Sequence, residues 1–350
     1  MRVRPGYVVR VRPADVGSRV SVRTISGERY RDVVGELLSW ADGILRIRRR
    51  DGSIVDVAEN LVVAGKVVPP GPPRRARGAR AGITQARLQS TGTAATGIGD
   101  LALEEIAGRG WQGFESSWLG RWLLRASAGF TGRANSVLPL GDPGLPLAAA
   151  LGRASRWYAD RGLPVRFQVP LPARADLDGA LAELGWTTSD RNHVLTAPVS
   201  AVLAAVPDRD DAPPVVVETA PSPQWLRLYR FRGGPPPAAA PRQLVQADRP
   251  VFLSIRDGDE PLAIARGALA AGWLGITAVE VAESARRRGL GSHIVRELCA
   301  WAAMAGPEPA HSVYLQVQTG NAAALALYDR LGFTRHHDYQ YRLAPGVMAR

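Results

Sequence analysis

Val281–Gly306 reads VAESARRRGLGSHIVRELCAWAAMAG, and the rest of the chain is arranged around it. A strand-like run ends at Val281, the turn Arg286-Arg287-Arg288-Gly289-Leu290-Gly291 follows, and an amphipathic helix comes next. Leu290, Ile294, Val295, Leu298, Cys299 and Ala302 recur at helical spacing and predict one buried face. Gly306-Pro307 predicts the helix end. A glycine-rich turn between strand and helix leaves amide N–H groups unpaired and pointing the same way. With the positive end of the helix dipole they make an anion cradle. Gly289 and Gly291 let a phosphate approach closely, and the arginines add charge. The stretch alone predicts a site for a pyrophosphate-bearing ligand, and the remaining sequence must say which one.

The chain has 350 residues, 46% of them hydrophobic, enough for a substantial core and two or three domains. Its one cysteine, Cys299, sits on the apolar helix face, so packing is its simpler role, and no disulfide can form within the chain. MRVRPGYVVRVRP has no uninterrupted apolar core, and the apolar run Ala197–Val206 is far shorter than the ~20 residues that span a bilayer. Together these predict a cytoplasmic protein without a membrane segment. Net charge is +12, and Lys66 is the only lysine. Residues 1–80 hold 17 Arg/Lys against 8 Asp/Glu. That excess suits a nucleic-acid partner, but a solvated basic surface accounts for it more simply.

In chain order, residues 1–68 predict a small all-β barrel of SH3-like type, with Asp51-Gly52 as a hairpin signal. Arg46, Arg48 and Arg50 share a strand face that is either phosphate-reading or simply wet. Residues 69–98, rich in Pro, Gly and Arg, read as a linker. Residues 99–206 predict an α/β unit, with strands at 121–127, 133–140, 165–169 and 193–197 and helices at 101–108, 147–161 and 175–184. Residues 215–345 repeat the order. Leu184-Gly185-Trp186 and Leu331-Gly332-Phe333 each precede an Ala-Pro pair by the same distance, which favours a duplication.

Two motifs in order carry a resemblance. The turn Arg286–Gly291 fits Arg-x-x-Gly-x-Gly after a strand and before a helix. About thirty residues on comes Asn321-Ala322-Ala323-Ala324-Leu325-Ala326-Leu327-Tyr328, then Leu331-Gly332-Phe333. Residues 215–345 thereby resemble the GNAT superfamily of acetyl-CoA-dependent N-acetyltransferases. The barrel followed by two such halves is similar to an actinobacterial subgroup. The implied fold is a tandem α/β (α+β) GNAT fold, a mixed central sheet flanked by helices and preceded by a small all-β barrel.

The resemblance implies that coenzyme A lies on the amides of Gly289, Leu290 and Gly291. Ser292 adds a hydroxyl, and one or two of Arg286, Arg287 and Arg288 meet phosphate. Main-chain groups of Val279 and Val281 are implied to pair with the pantetheine arm. Asn321 is implied to flank the cofactor, although the same residue suits a helix N-cap. Tyr328 is implied to be the general acid for the departing thiolate, although a tyrosine in a helix is more commonly a packing residue. The family's acid earlier in the strand is missing from Gly275-Ile276-Thr277-Ala278. Glu280 is then the nearest candidate base, with His336 and His337 as alternatives that otherwise read as surface histidines. The acceptor is an amine on a small molecule, peptide or protein, attacked with no covalent enzyme intermediate and no metal.

The middle copy has Arg174 where the active one has Asn321 and Leu181 where it has Tyr328, and lacks the glycine turn. It reads as a degenerate GNAT-like domain. Arg125, Thr131, Arg133 and Asn135 form a polar group there that either touches substrate or lines a wet sheet face. Two other functions stay open on sequence: a non-catalytic acyl-CoA-binding regulator, and nucleic-acid binding through residues 1–80.

Overall fold

Alternation, as in Val20, Val22, Leu45 and Ile47, turns apolar side chains to one face of a sheet of five strands: β1 (Arg19–Ser26), β2 (Arg29–Ala41), β3 (Ile44–Arg49), β4 (Ile54–Ala58) and β5 (Val62–Val67). The structure is a computed structural model describing residues 11–26, 29–49, 53–67, 97–206, 213–231, 233–306 and 308–347. It divides into two units, Met1–Arg87 and Leu88–Arg350. In the first, the antiparallel order is β4-β3-β2-β1-β5. Val20, Val22, Val33, Leu37, Leu45, Ile47 and Val57 form its core. Arg46 and Arg48 lie on the exposed face and bond Asp56 at 2.8 Å and Glu36 at 2.7 Å. Those pairings favour the solvated reading of this face. Arg50, the hairpin tip and the segment 68–96, which holds most of the expected linker, lie outside the described residues.

The second unit runs α1 (Asp100–Gly110), β6 (Glu115–Leu119), β7 (Trp122–Ala126), β8 (Val137–Pro139), α2 (Leu147–Ala159), β9 (Arg166–Leu171), α3 (Ala175–Glu183) and β10 (Thr187–Pro198). After α4 (Val199–Ala205) the order recurs as β11 (Val215–Glu218), α5 (Pro223–Leu228), α6 (Ala240–Leu244), β12 (Pro250–Asp257), β13 (Glu260–Ala270), β14 (Trp273–Val281), α7 (Leu290–Ala303), β15 (Ser312–Gln318), α8 (Ala322–Arg330) and β16 (Thr334–Leu343). Strands 273–281, 312–318 and 334–343 match the sequence reading residue for residue. β6 was not foreseen, because ESSWL is polar and its Trp118 is exposed. The expected strand 133–140 is cut short: Arg133–Asn135 is a 3-10 turn and only Val137–Pro139 pairs.

All eleven strands form one sheet, β11-β12-β13-β14-β15-β10-β16-β9-β8-β7-β6. The two closing strands have changed places. β10 pairs with β15, and β16 pairs with β9. They also pair antiparallel with each other, so a pseudo-twofold axis falls between them. Gly185 and Gly332, at φ +78° and +79°, end the preceding helices the same way and launch both strands alike. The core of the second half lies under α7, whose six expected apolar residues are all buried. Burial pushes the Cys299 thiol up to about 12. α7 stops at Ala303, just before Gly306. No helix among the described residues is long and apolar enough to cross a membrane.

Candidate active site

β14 and β15 run parallel from Trp273↔Ser312 to Ile276↔Leu315 and then separate. The cause lies on the other side of β14. Ile264 faces Glu280 and Arg266 faces Thr277, so Ala278 and Val279 together oppose Ala265. This is a β-bulge, with Ala278 at φ +53°, and it bends β14 away from β15. Beyond Ile276 the β15-facing edge of β14 has no strand partner among the described residues. An extended ligand arm can pair there. Val279 and Val281 pack toward the core beneath α7.

At the end of that edge the chain enters α7 through Gly289, at φ +80° and ψ 0°, with no side-chain cap. The first intrahelical bond, His293 N–H to Gly289 O, is 3.0 Å. The amides of Leu290, Gly291 and Ser292 are therefore left for an anion. A left-handed Gly289 is what turns them outward. A Cβ on Gly291 would stand against Val281 and Leu327, at 3.6 and 3.5 Å, so strand, turn and helix α8 converge there. Arg286, Arg287 and Arg288 are all exposed, and Arg286 has only a 4.0 Å contact with Glu283. Their long side chains can reach a polyanion on this rim.

Tyr328, on α8, is 8% exposed and packs edge-on against Phe333, with centroids 5.5 Å apart. Burial first, and then the charge of Glu280, raise its pKa above the ordinary phenol value. It stays a proton donor at neutral pH. Asn321 caps α8, its Oδ1 accepting from Ala324 N at 3.1 Å. Glu280 is half-buried, and desolvation raises its carboxyl pKa against the opposing pull of Arg230 and Arg286.

A cleft of about 580 Å³ opens on the far side of the splay, with Thr277 and Ala278 on one lip and Gln316 and Gln318 on the other. Its walls are Trp111, Tyr229, Phe231, Tyr339 and Tyr341. Arg133 stacks 4.9 Å over Trp111 and donates to Gln316 Oε1 at 2.6 Å. The Nε2 of Gln316 is buried without a partner. Trp111 Nε1 donates to Thr131 Oγ1 at 3.0 Å. Arg266, fully buried, donates to Leu244 O at 2.6 Å, Gly110 O at 3.1 Å and Thr277 Oγ1 at 3.2 Å, fixing one lip to α1. Sequence reasoning missed Gln316, Trp111 and Arg266; only an arginine inside an apolar strand, LAIARGALA at 262–270, hinted at the last.

The polar group of the first half divides. Thr131 and Arg133 line the cleft. Asn135 is instead a loop brace: Oδ1 accepts from Ser127 N at 2.7 Å, and Nδ2 donates to Phe130 O at 2.7 Å. Arg125 is buried on Gln168 at 2.9 Å. Neither lines a wet face. Arg174 donates to Pro139 O and Gly141 O at 3.2 and 2.8 Å, across the turn where an anion cradle would have to be. Leu181 is fully buried. His336 and His337 are buried, not on the surface, and face a different cavity from the cleft.

Residues 101–342 match the family described as "Probable histone acetyltransferase Rv0428c C-terminal". The chain belongs to this family of GNAT N-acetyltransferases. The relative "Probable histone acetyltransferase Rv0428c" of Mycobacterium tuberculosis H37Rv is 30% identical over 348 residues, 95% of this chain and 96% of that one. The "Uncharacterized N-acetyltransferase YobR" of Bacillus subtilis strain 168 is 29% identical over 245 residues, 69% of this chain and 97% of its own. A solved GCN5-related N-acetyltransferase from Kribbella flavida shares the fold, with TM-score 0.51 and 19% identity over 71% of this chain and 96% of that one. The acyltransferase is thus a tandem GNAT fold, with the splay, the uncapped helix and the second motif all in its C-terminal half.

Proposed function

We propose that the protein transfers the acetyl group of acetyl-CoA to an amine held in the cleft. The observation that carries this is the continuity of three features: the unpaired edge of β14, the uncapped amides at Leu290–Ser292 and the cleft at the splay. Acetyl-CoA, when bound, supplies the activated acyl carbon. Leu290, Gly291 and Ser292 hold its pyrophosphate, with Arg286–Arg288 on the rim, and the main chain of Val279 and Val281 pairs with the arm. Glu280 takes the proton from the acceptor amine, and its raised pKa makes it a stronger base than an exposed glutamate. Tyr328 protonates the departing sulfur, and Asn321 holds α8 in register by its cap.

The acceptor is an amine that carries a carboxylate or other negative group nearby. The cleft is lined by Arg133 and Arg166 and by no carboxylate among the described residues. A histone, which the mycobacterial relative's name invokes, is polycationic and suits such a cleft poorly. The test is release of free coenzyme A thiol with amino acids and acidic amines on one side and histone peptides on the other. Turnover of the acidic amines supports the reading, and turnover of histone peptides alone contradicts the acceptor assignment. Tight acetyl-CoA binding without turnover on any amine would favour a non-catalytic regulator.

A further inference from the structure

The sequence reading expects no metal, yet the fold brings Asp100, at the start of α1, against His336 and His337 of β16. One donor atom from each lies within 4.8 Å of the others. The tautomers are set by the partners of the outer nitrogens. His336 Nε2–H donates to the carbonyl of Ile98 at 3.0 Å, since a carbonyl can only accept. His337 Nε2–H donates to Glu104 Oε1 at 3.1 Å, while Gln168 Nε2 occupies Oε2 at 2.8 Å. Each neutral ring then carries its lone pair on Nδ1. These two Nδ1 atoms face one another at 2.9 Å. Two lone pairs at that distance repel unless a cation lies between them. Asp100 Oδ1 points to the same place, 3.4 Å from one Nδ1 and 3.9 Å from the other.

We propose that Asp100 Oδ1, His336 Nδ1 and His337 Nδ1 form a binding site for a divalent first-row transition metal ion of the zinc class. Two imidazoles and one carboxylate are a donor set for such an ion, at ~2.0 Å per bond. The surroundings are those of a built site. Ligating histidines usually give their other N–H to a carbonyl or carboxylate, and Ile98 O and Glu104 fill those places. Asp100 and Glu104 together balance the charge of a dication. The nearby Arg335 and Arg191 are engaged by Asp338, at 2.8 and 3.1 Å, and do not oppose it. The rings are 2% and 0% exposed, and Asp100 is 22% exposed on a cavity of about 640 Å³, which gives an access path and room for a fourth, water ligand. The ion ties the first helix of the unit to its last strand.

The test uses the untagged full-length protein, stripped with a chelator and then titrated with Zn²⁺ or Co²⁺. One Zn²⁺ per chain surviving gel filtration, a raised Tm and visible Co²⁺ bands of a low-coordinate site are expected. His336→Ala should lose all three. Asp100→Asn, a near-isosteric change at a partly exposed position, should weaken Zn²⁺ affinity at least tenfold without loss of fold by circular dichroism. His293→Ala, at a histidine bonded instead to Pro213 O, should change nothing. Substoichiometric zinc with no Tm shift would overturn the proposal, as would full retention of zinc by both Asp100→Asn and His336→Ala.

Discussion

In the proposed mechanism Tyr328 and Glu280 serve one transfer from two elements, and burial raises the pKa of both. For the phenol, burial secures the proton to be given. For the carboxyl, it raises the proton affinity of the group that must receive one. Tyr328→Phe should keep the packing on Phe333 and the affinity for acetyl-CoA but lower kcat ~100-fold, the usual scale of a lost general acid. Steady-state kinetics beside calorimetry would check it. Glu280 must be ionised to act. Its pKa is raised, so kcat/KM should climb with pH through a value above the ordinary ~4.3 of a glutamate. In Glu280→Gln that acidic limb should vanish from the pH profile along with most of the rate. Both residues are candidates that the sequence supplies, Tyr328 through its motif and Glu280 by proximity to the turn, and the kinetics above decide their roles. Gln316 was not, because its importance comes from lying one residue past the last β14–β15 pair, a fact of register alone.

At the scale of elements, the apolar period of α7 and the runs of β14, β15 and β16 were readable because each is bounded by a turn and buried on a face. β6 escaped because an edge strand need not be apolar, and the strand expected at 133–140 is shortened to Val137–Pro139 because Asn135 spends its side chain on backbone groups and breaks the ladder. The bulge at Ala278 was likewise hidden, since it depends on pairing with β13. Close packing holds this region in place. A Cβ on Gly275 would overlap the Tyr314 hydroxyl, which lies within the core between α1 and β14. Gly275→Ala should therefore cost on the order of 2 kcal/mol in chemical denaturation, and a variant as stable as the parent would speak against this packing. On the same grounds Cys299, buried with its thiol pKa pushed up to about 12, should resist alkylation in the native protein at neutral pH and react only on unfolding.

Over the whole molecule, duplication was visible in the sequence but the exchange of closing strands was not. β10 and β16 follow the same Leu-Gly-aromatic turn, and nothing local says which neighbour each will choose. The consequence is that neither half holds a complete sheet. β16 must lie between β10 and β9, and β10 between β15 and β16. Residues 215–345 expressed alone should fail to give a cooperative unfolding transition, whereas residues 97–350 should fold and keep acetyl transfer. Only one half retains the glycine turn, while Arg174 closes the matching turn in the other, so a single coenzyme A is expected per chain.

Hydrogen–deuterium exchange with and without acetyl-CoA tests that central claim most directly. Slower exchange of the amides at 279–281 and 290–292, with no change at 138–144 in the first half, is the predicted result. Unchanged exchange at 290–292 under saturating acetyl-CoA, or protection at 138–144 instead, would contradict it.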